Sequence, residues 1–180
     1  KRHPKGSKPV RVAWFPGPEE AGWVQTGTKG FRDAIDEGAI DLVTTQYGDT
    51  GKGTQSKLVA AVLDKYDDID YIVGTAVTAE AAPRILRKRK RQDRVKIMAY
   101  YFTPGVYRGI KRGQILGSPT DSAVIQGRIA IDQVVRILEK KDYFKHVGPV
   151  IQVIDAHNVD KFERSTTLAP DGFRATYNVN

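Results

Sequence analysis

Cysteine is absent from this sequence of 180 residues, methionine occurs once and histidine three times. Without a thiol the chain has no disulfide, no thiolate metal site and no cysteine-based redox or nucleophilic chemistry. The histidines, His3, His146 and His157, stand too far apart for the i, i+4 spacing of a helical metal site. No apolar run approaches the roughly 20 residues that a membrane-spanning helix needs. Ser118, Ser122 and Ser165 lack the strand-to-helix setting, with histidine and aspartate partners, that activates a hydroxyl. Catalysis is therefore unsupported, and no cofactor or metal is expected.

What is present is an ordinary globular balance, 40% hydrophobic and 28% charged, in a length that suits one sizeable α/β core. The formal charge of +8 comes largely from the opening segment Lys1 to Pro9 and from Arg87-Lys88-Arg89-Lys90-Arg91. The opening segment lacks an initiator Met and reads as an exposed linker, so the chain is expected to be a piece of something longer. The second run ends a helical pattern, where cations complement the helix dipole. No aromatic or groove-entering element accompanies it, so no nucleic-acid partner is expected.

Short apolar runs alternate with helical patterns along the chain. Val10 to Phe15, Ile40 to Thr44, Tyr71 to Gly74, Lys96 to Tyr101, Gln114 to Gly117 and Val150 to Asp155 read as strands. Between them lie helices over Gly22 to Asp36, with Val24, Phe31, Ala34 and Ile35 on the buried side, and from an N-cap at Thr54 to Lys65. Further helices follow over Thr78 to Lys88, over Pro104 to Lys111, and onward from a cap at Asp121. This order predicts βαβ units and a parallel sheet. The loops at the carboxyl ends of such strands form the binding crevice.

Trp23, Thr75, Thr78, Tyr100 and Tyr101 all fall at that edge. The loop Tyr100-Tyr101-Phe102-Thr103-Pro104, dense in rings and without an acid-base cluster, suits enclosure of a ligand better than chemistry. Trp14 lies inside the first strand and is assigned to the core. Asp67, Asp68 and Asp70 sit at the opposite, amino end of their strand and read as surface turn chemistry. The stretch Gly48-Asp49-Thr50-Gly51-Lys52-Gly53-Thr54 has the look of a phosphate loop. Gln46 stands where the loop's first glycine belongs, so an ordinary Gly-rich turn is the simpler reading.

Several segments taken in order carry a more specific signal. They are Phe15-Pro16-Gly17-Pro18-Glu19-Glu20-Ala21-Gly22-Trp23-Val24, Tyr47-Gly48-Asp49-Thr50-Gly51-Lys52, Tyr71 to Ala82, Tyr100 to Gly109, Ser118 to Gln126 and Arg164 to Pro170. Together they resemble the trimethylamine N-oxide sensing branch of the type I periplasmic binding proteins, over a stretch from about Val10 to the end. That resemblance implies a periplasmic location and two α/β lobes that close on a ligand at a hinge.

The resemblance further implies that most of this chain is the carboxyl-terminal lobe, the amino-terminal lobe being largely absent. Residues 1–9 would be linker and 10–118 the ligand-binding lobe. Residues 119–147 would be a hinge and a helix belonging to the other lobe, and 148–180 the return segment and tail. Ser118 to Asp121 and Phe144 to Val150 would be the hinge crossings.

The implied ligand is trimethylamine N-oxide, and the implied partners are the missing lobe and a membrane histidine kinase. A trimethylated nitrogen favours aromatic faces, each contact being worth about 0.5 to 2 kcal/mol. Its oxide needs a donor or an ordered water. Trp23 and Tyr101 are the expected walls, with Tyr100, Thr75 and Asp121 as orienting groups. Two other readings compete: a solute-binding protein that delivers a sugar-like compound to a transporter, and a nucleotide-using enzyme built on Gly51-Lys52.

Overall fold

The computed structural model describes residues 8–35 and 39–176. Most of the expected linker and the expected helix end at Asp36 lie outside these residues. Six strands form one sheet in the order β2-β1-β3-β4-β5-β6, where β1 is Val10–Gly17, β2 Ile40–Tyr47, β3 Tyr71–Gly74, β4 Lys96–Ala99, β5 Gly117–Pro119 and β6 Val153–Asp155. All neighbours run parallel except β6, which pairs antiparallel with β5. The intervening helices are α1 (Gly22–Ile35), α2 (Lys52–Lys65), α3 (Ala76–Lys88), α4 (Pro104–Lys111) and α5 (Ala123–Leu138). A mostly parallel sheet with helical crossovers is the α/β architecture expected from the alternation.

The two faces of the sheet are covered unequally. On one face Ala13, Phe15, Ile72, Ile97 and Ala99 pack against Val59, Val62 and Leu63 of α2, Ala79, Ala82 and Leu86 of α3, and Val106 and Ile110 of α4. Burial of these side chains drives the fold, at about 25 cal/mol for each Å² removed from water. The other face presents Val10, Val12, Trp14, Tyr71, Val73 and Met98, and α1 covers only part of it. An open apolar groove of about 910 Å³ remains beside that helix.

The groove explains one departure from expectation. Val24 of α1 is buried as foreseen, joined by Thr28, but Phe31 and Ile35 are half-buried and Ala34 is exposed. The carboxyl half of α1 overhangs the groove, where no second helix encloses it.

Helix starts also differ. The helix α2 begins at Lys52 behind Gly51, one turn before the expected cap Thr54. Asp49 Oδ1 accepts the Gly51 amide at 2.6 Å, an Asx turn that starts the helix early. Asp121 does not cap α5: the residue before that helix is Ser122, in a left-handed conformation with φ of 48°, and no side chain caps the end. Thr75 caps α3 and Thr103 caps α4, each hydroxyl accepting the amide three residues on.

Two arginines of the basic run that follows α3 are engaged within the fold. Arg89 pairs with Asp64 at 2.8 Å, and Arg91 donates to the carbonyls of Leu63 and Tyr66 at the end of α2 while pairing with Asp67. The aspartates before β3 are likewise held, Asp68 by Arg11 at 2.9 Å and Asp70 through the Arg11 amide. No helix among the described residues is long and apolar enough to cross a membrane. Nor do three or more metal-binding side chains gather anywhere among them.

Helix α5 stands apart. None of its residues is buried, although Ile131, Val134, Val135, Ile137 and Leu138 are apolar and exposed. Tyr143, Phe144, Val147, Val150 and Ile151 continue the exposed apolar surface beyond it. So much uncovered apolar surface is a face built for a neighbour.

Candidate functional site

Three strand ends and one loop bring the predicted residues together. Gly74 ends β3 and delivers Thr75, Ala99 ends β4 and delivers Tyr100 and Tyr101, and β5 leads through Thr120 to Asp121. The turn after β1 starts α1, whose second residue is Trp23. Backbone bonds lock these ends in register: the Thr75 amide donates to Phe15 O at 2.9 Å, and the Tyr100 amide to Gly74 O at 2.6 Å.

The rings of Trp23, Tyr100 and Tyr101 form a cluster. Trp23 and Tyr100 lie near-parallel with centroids 6.0 Å apart, Tyr101 stands edge-on to Trp23 at 6.2 Å, and the two tyrosines are 6.1 Å apart. Behind them Trp14 is buried, stacked on Phe31 at 4.4 Å and edge-on to Tyr100 at 5.3 Å. Tyr100 thus bridges the core to the exposed Trp23. Its hydroxyl crosses α1 to donate to Trp23 O at 3.1 Å.

That crossing is possible only because residue 27 is a glycine. A Cβ there would sit 1.5 Å from the Tyr100 hydroxyl oxygen. Gly27→Ala is therefore expected to expel Tyr100 from its seat on α1, while helix propensity itself favours alanine by up to about 1 kcal/mol. The expected result is a chain that keeps its secondary structure in circular dichroism but shows altered tryptophan emission, since Trp23 and Trp14 both lose a ring contact. An unchanged emission spectrum would show that Tyr100 tolerates the methyl group.

Beneath the rings runs a buried polar relay. The Gln55 amide nitrogen donates to Asp49 O at 2.7 Å and to Gly48 O at 3.3 Å, and its oxygen accepts the Thr78 hydroxyl at 2.7 Å. Thr78 and Thr75 hydroxyls meet at 2.7 Å. All three residues are fully buried, so Thr75, expected among the orienting groups, presents no surface to solvent. Burial pushes the Tyr101 phenol up, helped by the nearby negative charges of Glu80 and Asp121; hydrogen bonding by the Thr75 side chain and the Ala76 amide pulls the other way. Burial alone raises Tyr100.

Two acidic groups complete the cluster. Glu80 accepts the Thr103 hydroxyl at 2.7 Å and touches the loop where Gly105 leaves it room. Asp121 Oδ1 is shut away from solvent without a hydrogen-bond partner. Sequence reasoning missed Glu80 and Gln55. Gln55 did leave a trace, a lone amide on the apolar stripe that continues through Leu58, Val59 and Val62.

Comparison with known proteins places this arrangement in context. The sequence model of a family described as periplasmic binding protein domain matches residues 6–142. Periplasmic protein TorT of Escherichia coli K12 is 34% identical over 170 residues, which is 94% of this chain and 49% of that protein. A crystal structure of an ABC transporter solute binding protein from Bradyrhizobium sp. BTAi1, with bound Bis-Tris, is 53% identical, covers 98% of this chain and 53% of that one, and superposes with a TM-score of 0.88. A crystal structure of the TorS sensor domain–TorT complex in the presence of trimethylamine N-oxide is 34% identical, with a TM-score of 0.85 over 98% of this chain and 58% of that one. The chain spans about half the length of the curated relatives it matches. By sequence and by fold it belongs to the family of periplasmic binding protein domains, as a TorT-like periplasmic chain with the α/β architecture of the type I members.

Proposed function

We propose that this chain supplies one ligand-holding lobe of a periplasmic sensor for a small trialkylated nitrogen compound of the trimethylamine N-oxide class. The observation that carries the reading is the ring cluster of Trp23, Tyr100 and Tyr101 at the strand ends. Electron-rich faces attract an alkylated nitrogen that bears positive charge. Trp23 and Tyr101 form the wall, Tyr100 braces Trp23, Asp121 faces the site and Thr75 acts behind Tyr101. The relatives point the same way, because trimethylamine N-oxide and Bis-Tris, each present with one of them, share a nitrogen carrying three carbon substituents. The role is binding rather than catalysis.

The opposite wall belongs to a second lobe in this reading, and α5 with its exposed apolar residues is that lobe's helix. Residues 10–118 form the lobe described above, 119–147 cross to the other, and 148–180 return. Closure of the two lobes then reports occupancy to a membrane histidine kinase of the TorS kind.

A second reading has support of its own: delivery of a solute to an ABC transporter, since the Bradyrhizobium relative carries that description. A sugar as that solute is less favoured by the site, which presents rings and carboxylates in place of a fan of amide and guanidinium donors. Calorimetry on the full-length protein separates the ligands, and size-exclusion chromatography with the sensor domain of the kinase separates the partners. Trp23→Ala is expected to weaken trimethylamine N-oxide binding by tenfold or more, about 1.4 kcal/mol. Because Trp23 is 45% exposed, the thermal midpoint should barely change. Unchanged affinity would remove Trp23 from the site.

A further inference from the structure

The positive charge of this chain is concentrated on one side of the sheet. Residues 84–112 hold eleven lysines and arginines against a single acid, Asp93, an excess larger than the +8 of the whole chain. Helices α3 and α4 are neighbours on the covered face of the sheet, so their outer sides form one surface. Arg84, Arg87 and Lys88 are exposed on α3, and Arg108, Lys111 and Arg112 are exposed on α4 and its carboxyl end. Spacings of three and four residues align each set on one helix side, giving two adjacent rows of cations.

The acids that could neutralise these rows are engaged elsewhere. Asp64 and Asp67 are held by Arg89 and Arg91, Asp160 pairs with Lys111, and Asp93 accepts the Gln92 side-chain amide at 3.0 Å. Glu80, the one acid of α3, lies toward the ligand end and accepts the Thr103 hydroxyl. Among the described residues no carboxylate pairs with Arg84, Arg87, Lys88, Arg108 or Arg112. Like charges so placed repel one another, a cost that an anionic surface removes.

Position then separates this face from the ligand site. Helices α3 and α4 start from the caps Thr75 and Thr103 beside the ring cluster and run back toward the opposite edge of the sheet, so the cations gather at the far ends. None of them lines the apolar groove or the smaller cavity beside α1. Spread over two exposed helices, they suit a broad anionic surface better than a single small anion. A membrane is such a surface, and one bounds the compartment of a periplasmic chain.

We propose that the outer face of α3 and α4 docks this chain on an anionic phospholipid leaflet. Each cation held near such a leaflet strengthens binding by about fivefold. The proposal does not depend on which ligand the ring cluster takes, and docking through this face leaves that cluster open.

Cosedimentation of the full-length protein with vesicles tests this. Binding is expected to phosphatidylcholine vesicles containing about one third phosphatidylglycerol and not to phosphatidylcholine alone, and it should fall about tenfold or more between about 0.05 and about 0.5 M salt. Arg87→Gln with Lys88→Gln is expected to weaken binding about tenfold or more, and adding Arg84→Gln, Arg108→Gln and Arg112→Gln to abolish it. Lys29→Gln with Arg32→Gln removes the same charge from α1, on the other side of the sheet, and should change binding by no more than about twofold. Circular dichroism checks the fold of each variant. Equal losses from the two pairs would mean that net charge alone acts, and would overturn the proposal. Indifference to phosphatidylglycerol overturns it too, as does displacement by inorganic phosphate at constant ionic strength, the mark of a small-anion site. If vesicles are ignored while the fivefold variant loses the kinase's sensor domain, the face belongs to a protein and the membrane proposal falls.

Discussion

Trp14→Ala is expected to destabilise the domain by about 3 to 5 kcal/mol, the range for removing a large buried ring. The side chain is 1% exposed, and it is the point where α1 is fastened to the sheet. Three contacts disappear at once: the stack on Phe31, the edge contact to Tyr100, and the bond from the indole nitrogen to Thr28 Oγ1 at 3.2 Å. Because α1 alone covers part of its face, no neighbouring helix can close over the cavity. Trp14→Phe keeps a ring but loses the hydrogen bond, so its cost should be about 1 to 2 kcal/mol. Urea denaturation of the two variants measures both. Equal losses would show that the stack carries none of the energy.

The second large effect is expected from Gln55→Leu. Leucine fills much the same volume, so the change isolates hydrogen bonding from packing. It strands the buried hydroxyl of Thr78 together with the carbonyls of Gly48 and Asp49, which lie in a loop only partly shielded from water. Each stranded buried group costs about 1 to 3 kcal/mol, and partial access of water to the loop carbonyls brings the expected total to about 3 kcal/mol. A stability loss below about 1 kcal/mol in denaturant titration would mean that the relay is not sealed from water.

Much of this architecture was legible in the residues. The strands at Val10, Ile40, Tyr71 and Lys96 are apolar runs bounded by glycine, proline or charge, and the helix over Pro104 to Lys111 starts with a proline whose fixed φ suits a first turn. Convergence of Trp23, Tyr100 and Tyr101 followed from topology alone, since parallel strands must place their trailing loops on one edge. What was not legible depended on neighbours. Phe31, Ala34 and Ile35 read as a buried face because helical periodicity records which side is apolar and carries no information on whether a second helix will cover it. Asp121 read as a cap because an acid before an apolar helix usually is one. The left-handed turn at Ser122 carries its carboxylate elsewhere, and no sequence pattern announces that turn.

The same limit hid Gln55 and Glu80. A hydrogen-bond partner 23 residues away, as Thr78 is from Gln55, is a property of the folded chain. The lone amide on an apolar stripe was the one available hint. Its meaning appears only when the loop after β2 and the cap of α3 are seen on either side of it.

The pairing of β5 with β6 has a mechanical consequence. Pro119 lies opposite Val153, and just beyond them the Thr120 amide donates to Gln152 O at 2.7 Å while the Gln152 amide donates back to the Thr120 hydroxyl at 3.4 Å. The strand leaving the sheet and the strand returning to it are therefore joined side by side as a flat ribbon. A ribbon flexes easily across its thin dimension and resists sliding of one edge past the other. Whatever swings on these two strands is steered along a single arc, and a twist applied to one strand is felt at once by its companion.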